Sequence, residues 1–238
     1  MIMAITPLIT MLLAHYFIEG EDLSVFKIIG FFRDDFRSTW PASIAFAAAA
    51  LQGRELGNRY LRALRIAAAA ERQGIHRRSV QDILAKQVGL DLDQFQSDMD
   101  SGRAEQALKK DLAECRQQGI HSFPSYLLRN AEGKEILLPG FTSFDKFILW
   151  IEDLATDCLE RREIAFGLTE IHTYIATKTK VALREIVEIF GVGENEASDF
   201  MRRNIEDGVF LSQPSGSGVL YSLNDTGATC DAITGSCG

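Results

Sequence analysis

The stretch Gly119-Ile120-His121-Ser122-Phe123-Pro124-Ser125-Tyr126-Leu127-Leu128 marks the change of character on which the fold depends. Ahead of it the chain shows helical periodicity, and behind it lie short apolar runs bounded by turn residues. Gly119 stops a helix, since glycine enters the left-handed backbone region without steric penalty. Phe123 to Leu128 predicts a strand, Asn130–Gly133 a tight turn, and Lys134 to Leu138 the antiparallel partner. Ser143 then predicts the start of an amphipathic helix with Phe144, Phe147, Ile148 and Ile151 on its inner side.

Upstream, Trp40-Pro41 opens a long helical region, because proline fits a first helical turn. Ala42 to Leu51 is apolar on nearly every side and predicts a buried helix, broken at Gly53. Arg54 to Arg72 continues with Leu56, Tyr60, Leu64, Ala67 and Ala68 on one face and arginines opposite. Ser79, with Asp82 in the capping-box position, predicts the N-cap of a helix ending at Gly89, and Asp91 caps the next through Met99. A further helix covers Gly102 to Gln118, with Ala104, Leu108 and Leu112 inward. A helical block followed by a hairpin and a helix is an α/β or α+β signature.

Nearer the start, residues 19–40 mix charges with the apolar run Val25 to Phe32. Met1 to Ile18 is apolar, yet holds Pro7 and His15 and lacks both a basic lead and a small-residue cleavage site. It reads as a segment packed on the rest of the protein, rather than as a leader or a membrane span.

Downstream, residues 156–168 are charged and unpatterned and read as a linker. Helices are predicted over Glu170 to Lys178, Val181 to Phe190 and Glu194 to Asp207, and strands over Val209–Gln213 and Val219–Leu223. Three helices and a two-stranded ribbon are the plan of a winged helix. Asn224 to Gly238 reads as a Gly/Thr-rich tail.

Composition narrows the function classes. The 238 residues are 46% hydrophobic and 24% charged, ordinary for a globular chain. A net charge of −8 opposes wholesale binding to phosphate backbones. Four cysteines are too few for a secreted disulfide scaffold, so a reduced, cytoplasmic setting is expected.

The Gly119–Leu128 segment resembles the cis-proline loop of thioredoxin-fold proteins. The preceding block, WPASIAFAAAALQGRELGNRYLRALRIAAAA and GIHRRSVQDILAKQVGLDLDQF, resembles the helical insertion of the DsbA family, the cytoplasmic FrnE-like branch in particular. Gly140-Phe141 through Leu154 resembles that family's closing helix, so the likeness covers about residues 36–156. A DsbA-like domain followed by a winged-helix-like unit also resembles the YjbH/SpxH protease adaptors, which implies protein binding rather than turnover.

One departure outweighs these matches. DsbA-type chemistry needs a Cys-x-x-Cys at a helix N-terminus, where the thiolate is stabilised. No Cys-x-x-Cys occurs in this sequence, and no cysteine precedes Cys115. The expected fold is therefore an α/β, incomplete or degenerate DsbA-like thioredoxin fold with a large helical insertion, plus a C-terminal winged-helix-like unit. Its parts are a divergent segment (1–40), the thioredoxin domain (41–156), a linker (157–168), the winged-helix-like domain (169–223) and a tail (224–238).

Candidate residues follow. The resemblance implies that an extended peptide pairs with the backbone beside Pro124, whose bond it implies to be cis, with Phe123 and His121 flanking the groove. The ordinary alternatives are a trans proline that starts a strand and two packing residues. Cys230 and Cys237, in CDAITGSC, are close enough for a reversible dithiol, for half of a metal site, or for plain tail thiols. Cys115 continues the Leu108 and Leu112 face and reads as a small buried hydrophobe, while Cys158 has no partner nearby in sequence. His15, His76, His121 and His172 have no ligand spacing, so no metal and no cofactor are expected.

Across residues 168–224 five basic residues stand against eight acidic ones, a net of −3, and the third helix begins with Glu194 and Glu196. DNA readers want Arg, Lys or Asn there, so protein contact is the better use of this module. The expected function is a protein-binding or protease-adaptor role toward a client protein or peptide, without nucleic acid or membrane. The rival is a thiol–disulfide oxidoreductase using Cys230/Cys237 or a dithiol N-terminal to Met1, and a transcriptional regulator is the third class.

Overall fold

In this computed structural model, the described residues are 3–5, 38–121, 124–140, 142–155, 164–215, 218–224, 230–231 and 236–237. The chain divides into two compact units, Met1–Glu160 and Arg161–Gly238.

The first unit contains β1 (Met3–Ile5), α1 (Trp40–Leu51), α2 (Arg54–Arg65), α3 (Arg78–Gln87), α4 (Leu92–Asp100), α5 (Arg103–Gln117), β2 (Ser125–Arg129), β3 (Glu135–Pro139) and α6 (Phe144–Leu154). Helix α1 has Pro41 in its first turn and buries Ala42, Ala45, Ala47, Ala48 and Ala49, so its small side chains let neighbouring helices approach closely. Gly57 of α2 uses that space: a Cβ there would lie 2.9 Å from the Cα of Ala50. Tyr60 and Leu64 follow on the same face, fully buried, and Leu56 packs partly buried against them.

The Ala-rich continuation of α2 widens into a π-helical turn, Ile66–Ala70, in which Glu71 N donates to Ile66 O at 3.0 Å. Arg72 then takes a positive φ of 53°, ending the segment where the helical pattern ran out.

The predicted cap at Ser79 is corrected. Helix α3 begins at Arg78 after Arg77, with no side-chain cap. Asp82 is drawn elsewhere, because Arg78 Nε donates to its Oδ1 at 3.0 Å and Gln96 Nε2 to its Oδ2 at 2.9 Å. The Gln96 bond ties α3 to α4, and the two together outcompete a local capping box. Asp91 does cap α4, its Oδ1 accepting from Gln94 N at 2.9 Å.

Strands β1, β2 and β3 form an antiparallel sheet in that order, with Ile5 opposite Ser125 and Ser125 opposite Pro139. Tyr126 pairs with Leu138 and Leu128 with Ile136. These four residues share one face and pack against Phe147, Ile151 and Leu154 of α6. Phe144, expected on that inner side, is instead 64% exposed. It stands on the first helical residue, and side chains tilt toward the helix N-terminus, which carries it past the strands.

The second unit contains α7 (Leu168–Lys178), β4 (Val181–Ala182), α8 (Leu183–Phe190), α9 (Glu194–Glu206), β5 (Phe210–Ser215), β6 (Gly218–Leu223), β7 (Cys230–Asp231) and β8 (Ser236–Cys237). Ile171, Ile175, Val181, Ile186, Ala197, Met201, Phe210 and Tyr221 make its core. The helix expected from Val181 starts two residues later. Val181 and Ala182 pair with Tyr221 and Leu220, giving a sheet of order β4-β6-β5. Glu185 Oε1 accepts the Ala182 N–H at 3.0 Å and fixes the helix start. Among the described residues no helix is long and apolar enough to cross a membrane.

Candidate functional site

The proline loop leaves α5 through Gly119, whose φ of 73° turns the chain out of the helix. Ile120 N donates to Cys115 O at 2.9 Å, which closes the helix end and buries the Ile120 side chain. His121 is exposed. Phe123 lies outside the described residues, and with it the geometry of the Phe123–Pro124 bond.

Pro124 is buried, and its carbonyl accepts from Gly140 N at 2.8 Å. Ser125 behind it is also buried, opposite Ile5 on one side and Pro139 on the other. Strand β2 is thus paired on both edges from Ser125 to Leu127. Among the described residues, β1 covers its edge of β2 no further than Leu127, and β3 is paired on the β2 side alone.

Beyond the loop, Asn130 organises the β2–β3 turn. Its Oδ1 accepts from Glu132 N at 3.1 Å and Lys134 N at 2.9 Å, while its Nδ2 donates to Leu154 O at 3.1 Å. Across the same hairpin, Arg129 and Glu135 form an ion pair at register-paired positions.

The misassigned Phe144 is exposed on α6 together with Leu149 and Trp150, which the sequence reading did not single out. The signal available was the density of apolar residues in Phe147 to Ile151, which is more than one face of a helix can bury.

Cys115 is a free, buried thiol, pushed up by burial and by the nearby Asp111 carboxylate. A thiol so placed is a poor nucleophile. Cys230 and Cys237 belong to the second unit, where the backbone pairs them across β7 and β8. Cys158 and His15 lie outside the described residues. Among the described residues no group of three or more His, Cys, Asp or Glu could hold a metal ion.

Comparison with known proteins places the chain. A protein from Shouchella clausii named ClpXP adapter protein SpxH is 32% identical over 117 residues, covering 48% of this chain and 39% of that protein. Its namesake from Halalkalibacterium halodurans is 24% identical over 172 residues, covering 71% of this chain and 55% of that one. The chain therefore spans about half the length, or less, of these relatives. A solved structure from Nitrosomonas europaea, assigned provisionally as a protein disulfide isomerase, gives a TM-score of 0.44 at 17% identity, over 51% of this chain and 62% of that one. The family model described as Thioredoxin matches residues 18–148, more than half of the 238. With its helices and strands mixed as described and its likeness to the SpxH proteins, the chain belongs to the thioredoxin family.

Proposed function

We propose that this protein is an adaptor of the SpxH type, which binds a client protein and presents it to a ClpXP-type protease. One observation carries the reading: a thioredoxin-family chain aligns with proteins named ClpXP adapters while holding no Cys-x-x-Cys. Thioredoxin-type turnover needs an activated thiolate at a helix N-terminus. Adaptor binding needs only a surface that takes up an extended peptide, and no redox step.

The client segment docks in extended form against the loop ahead of Ser125, with Pro124 as its floor and Phe123 and His121 at its sides. The exposed Phe144, Leu149 and Trp150 supply apolar area of the kind that protein partners cover. The helical block α1 to α5 is read as a DsbA-like insertion, and the second unit as a winged helix. Its helix α9 carries Glu194, Glu196, Asp199 and Glu206, so its partner is a protein and not a phosphate backbone. The expected setting is the cytoplasm.

The test is a reconstituted ClpXP digestion of a client recovered by crosslinking to this protein in its own host. Added protein should accelerate the loss of that client, and Pro124→Ala should weaken the acceleration while leaving the far-UV dichroism unchanged. If no ratio of adaptor to client changes the rate, and insulin reduction is instead observed and lost in Cys230→Ser, the oxidoreductase reading replaces this one.

A further inference from the structure

We propose that Cys230 and Cys237 form a reversible dithiol–disulfide pair that closes across the β7–β8 ribbon by exchange with a small-molecule disulfide. Strands β7 and β8 pair antiparallel, with Cys230 opposite Cys237 and Asp231 opposite Ser236. Directly opposed residues of an antiparallel pair have Cα atoms about 4.5 or 5.5 Å apart, depending on their hydrogen-bonding class. A disulfide accepts Cα separations of about 4.4–6.8 Å, so either class meets the requirement. Register-paired residues also stand on the same face of a ribbon.

The ribbon itself has only two residues per strand, and an isolated two-stranded ribbon is marginal in water. Cross-link and strand pairing therefore support each other. Closing the disulfide holds the register, and the register holds the two residues opposite each other. Cys115 offers a contrast within the same chain, since its thiol is buried in α5 and its ionisation is opposed by that burial.

The exchange balances without a metal or a bound cofactor. One cysteine, as thiolate, attacks a disulfide R–S–S–R, forming a mixed disulfide and releasing R–S⁻. The second loses its proton to solvent and attacks the protein-side sulfur of the mixed disulfide. That breaks the mixed bond, forms the Cys230–Cys237 bond and releases the second R–S⁻. Two electrons pass from the protein dithiol to the small molecule, whose products are two thiols. The inference is independent of the adaptor reading and stands or fails without it.

The full chain lends itself to a direct test. No Lys or Arg lies between Arg203 and Gly238, so trypsin leaves Cys230 and Cys237 together in the peptide that begins at Asn204. The protein is equilibrated in graded mixtures of oxidised and reduced glutathione, quenched in acid, alkylated and digested. In the oxidised mixtures this peptide should lose two hydrogens and take no alkyl group, and after dithiothreitol it should carry two. Cys237→Ser should stop at the glutathione adduct on Cys230. The exchange constant should exceed that of the urea-unfolded chain by about tenfold or more, because pairing raises the effective concentration of the second thiol. The inference is overturned if the folded and unfolded chains exchange alike. It is also overturned if Cys230 or Cys237 bonds to Cys115 or Cys158, or if added zinc protects both thiols under reducing conditions.

Discussion

Gln52 and the backbone of Asp91 hold each other by two reciprocal hydrogen bonds. The Gln52 Nε2 donates to Asp91 O at 2.8 Å, and Asp91 N donates to Gln52 Oε1 at 2.9 Å. One side chain thus joins the end of α1 to the cap of α4, thirty-nine positions later. The amide serves as a surrogate strand partner for a residue whose own carboxylate is occupied at the helix N-terminus. Replacing Gln52 by Ala frees both backbone groups to water, because the pair is exposed, and should cost about 1 kcal/mol. Both tryptophans, Trp40 and Trp150, belong to the first unit, so urea unfolding followed by tryptophan emission measures that unit alone. No shift in midpoint would refute the link.

Gly57 sets two effects against each other. Alanine in a helix interior gains about 0.5–1 kcal/mol over glycine. Here the added methyl would sit 2.9 Å from the Ala50 Cα, a backbone atom that cannot rotate away. Overpacking of this kind costs about 1–3 kcal/mol, so the clash wins and Gly57→Ala should destabilise the helical block. A stabilised variant in the same urea titration would show that α1 and α2 can separate freely.

Tyr60 links stability to alkaline pH. Its hydroxyl donates to Gln81 O at 3.2 Å, and burial drives its pKa well above the ordinary tyrosine value, with Asp82 adding in the same direction. Above about pH 10 the unfolded chain loses this proton while the folded chain keeps it, so stability falls as pH rises. Tyr60→Phe should cost about 1 kcal/mol at neutral pH by removing this bond, while the Gln81 carbonyl keeps its place in the α3 ladder. It should also flatten the decline of stability between pH 9 and 11 (about one unit either side of the free tyrosine value). An unchanged alkaline slope would mean that Tyr60 titrates in the open.

Asn130 offers a separation of roles. Asn130→Ala removes the two turn bonds and the bond to Leu154 O, and should cost about 1–2 kcal/mol. Asn130→Asp keeps the acceptor for Glu132 and Lys134 but loses the donor to α6. Hydrogen exchange should then show the turn amides protected and the last turn of α6 loosened. Equal loss in both places would make the turn and the helix end one cooperative unit.

How much of this was legible in advance depends on whether the deciding force was local. Asp91 capped its helix as read, because a cap is satisfied within one turn. The hairpin between Ser125 and Pro139 was equally plain, since Asn130 and Gly133 fix a turn by themselves. Ser79 misled because Asp82 is claimed by Arg78 and Gln96, and Gln96 is fourteen positions away. Val181 misled because its partner, Tyr221, lies forty positions on, and β-branched residues fit a strand when one is offered. Near the candidate site, the helix stop at Gly119, whose φ is positive, was visible from its residue type. That β1 would occupy the open edge of β2 was not, for nothing in Met3–Ile5 names its partner. The opposition of Cys230 and Cys237 was likewise hidden, since spacing gives proximity but only register gives a face.

The π-helical turn at Ile66–Ala70 means that the helical segment begun at Arg54 holds one residue more than an α-helical path of the same length would require. Such a turn is how a helix absorbs an inserted residue without rotating everything ahead of it. The run of four alanines, Ala67 to Ala70, is then a slack link, where one residue can leave and the chain relaxes into ordinary α-helix. Tyr60 and Leu64 keep their places in the core, and the change in length is taken up beyond Ala70. A fold so arranged tolerates a change in chain length inside a helix, where most helices would lose their packing.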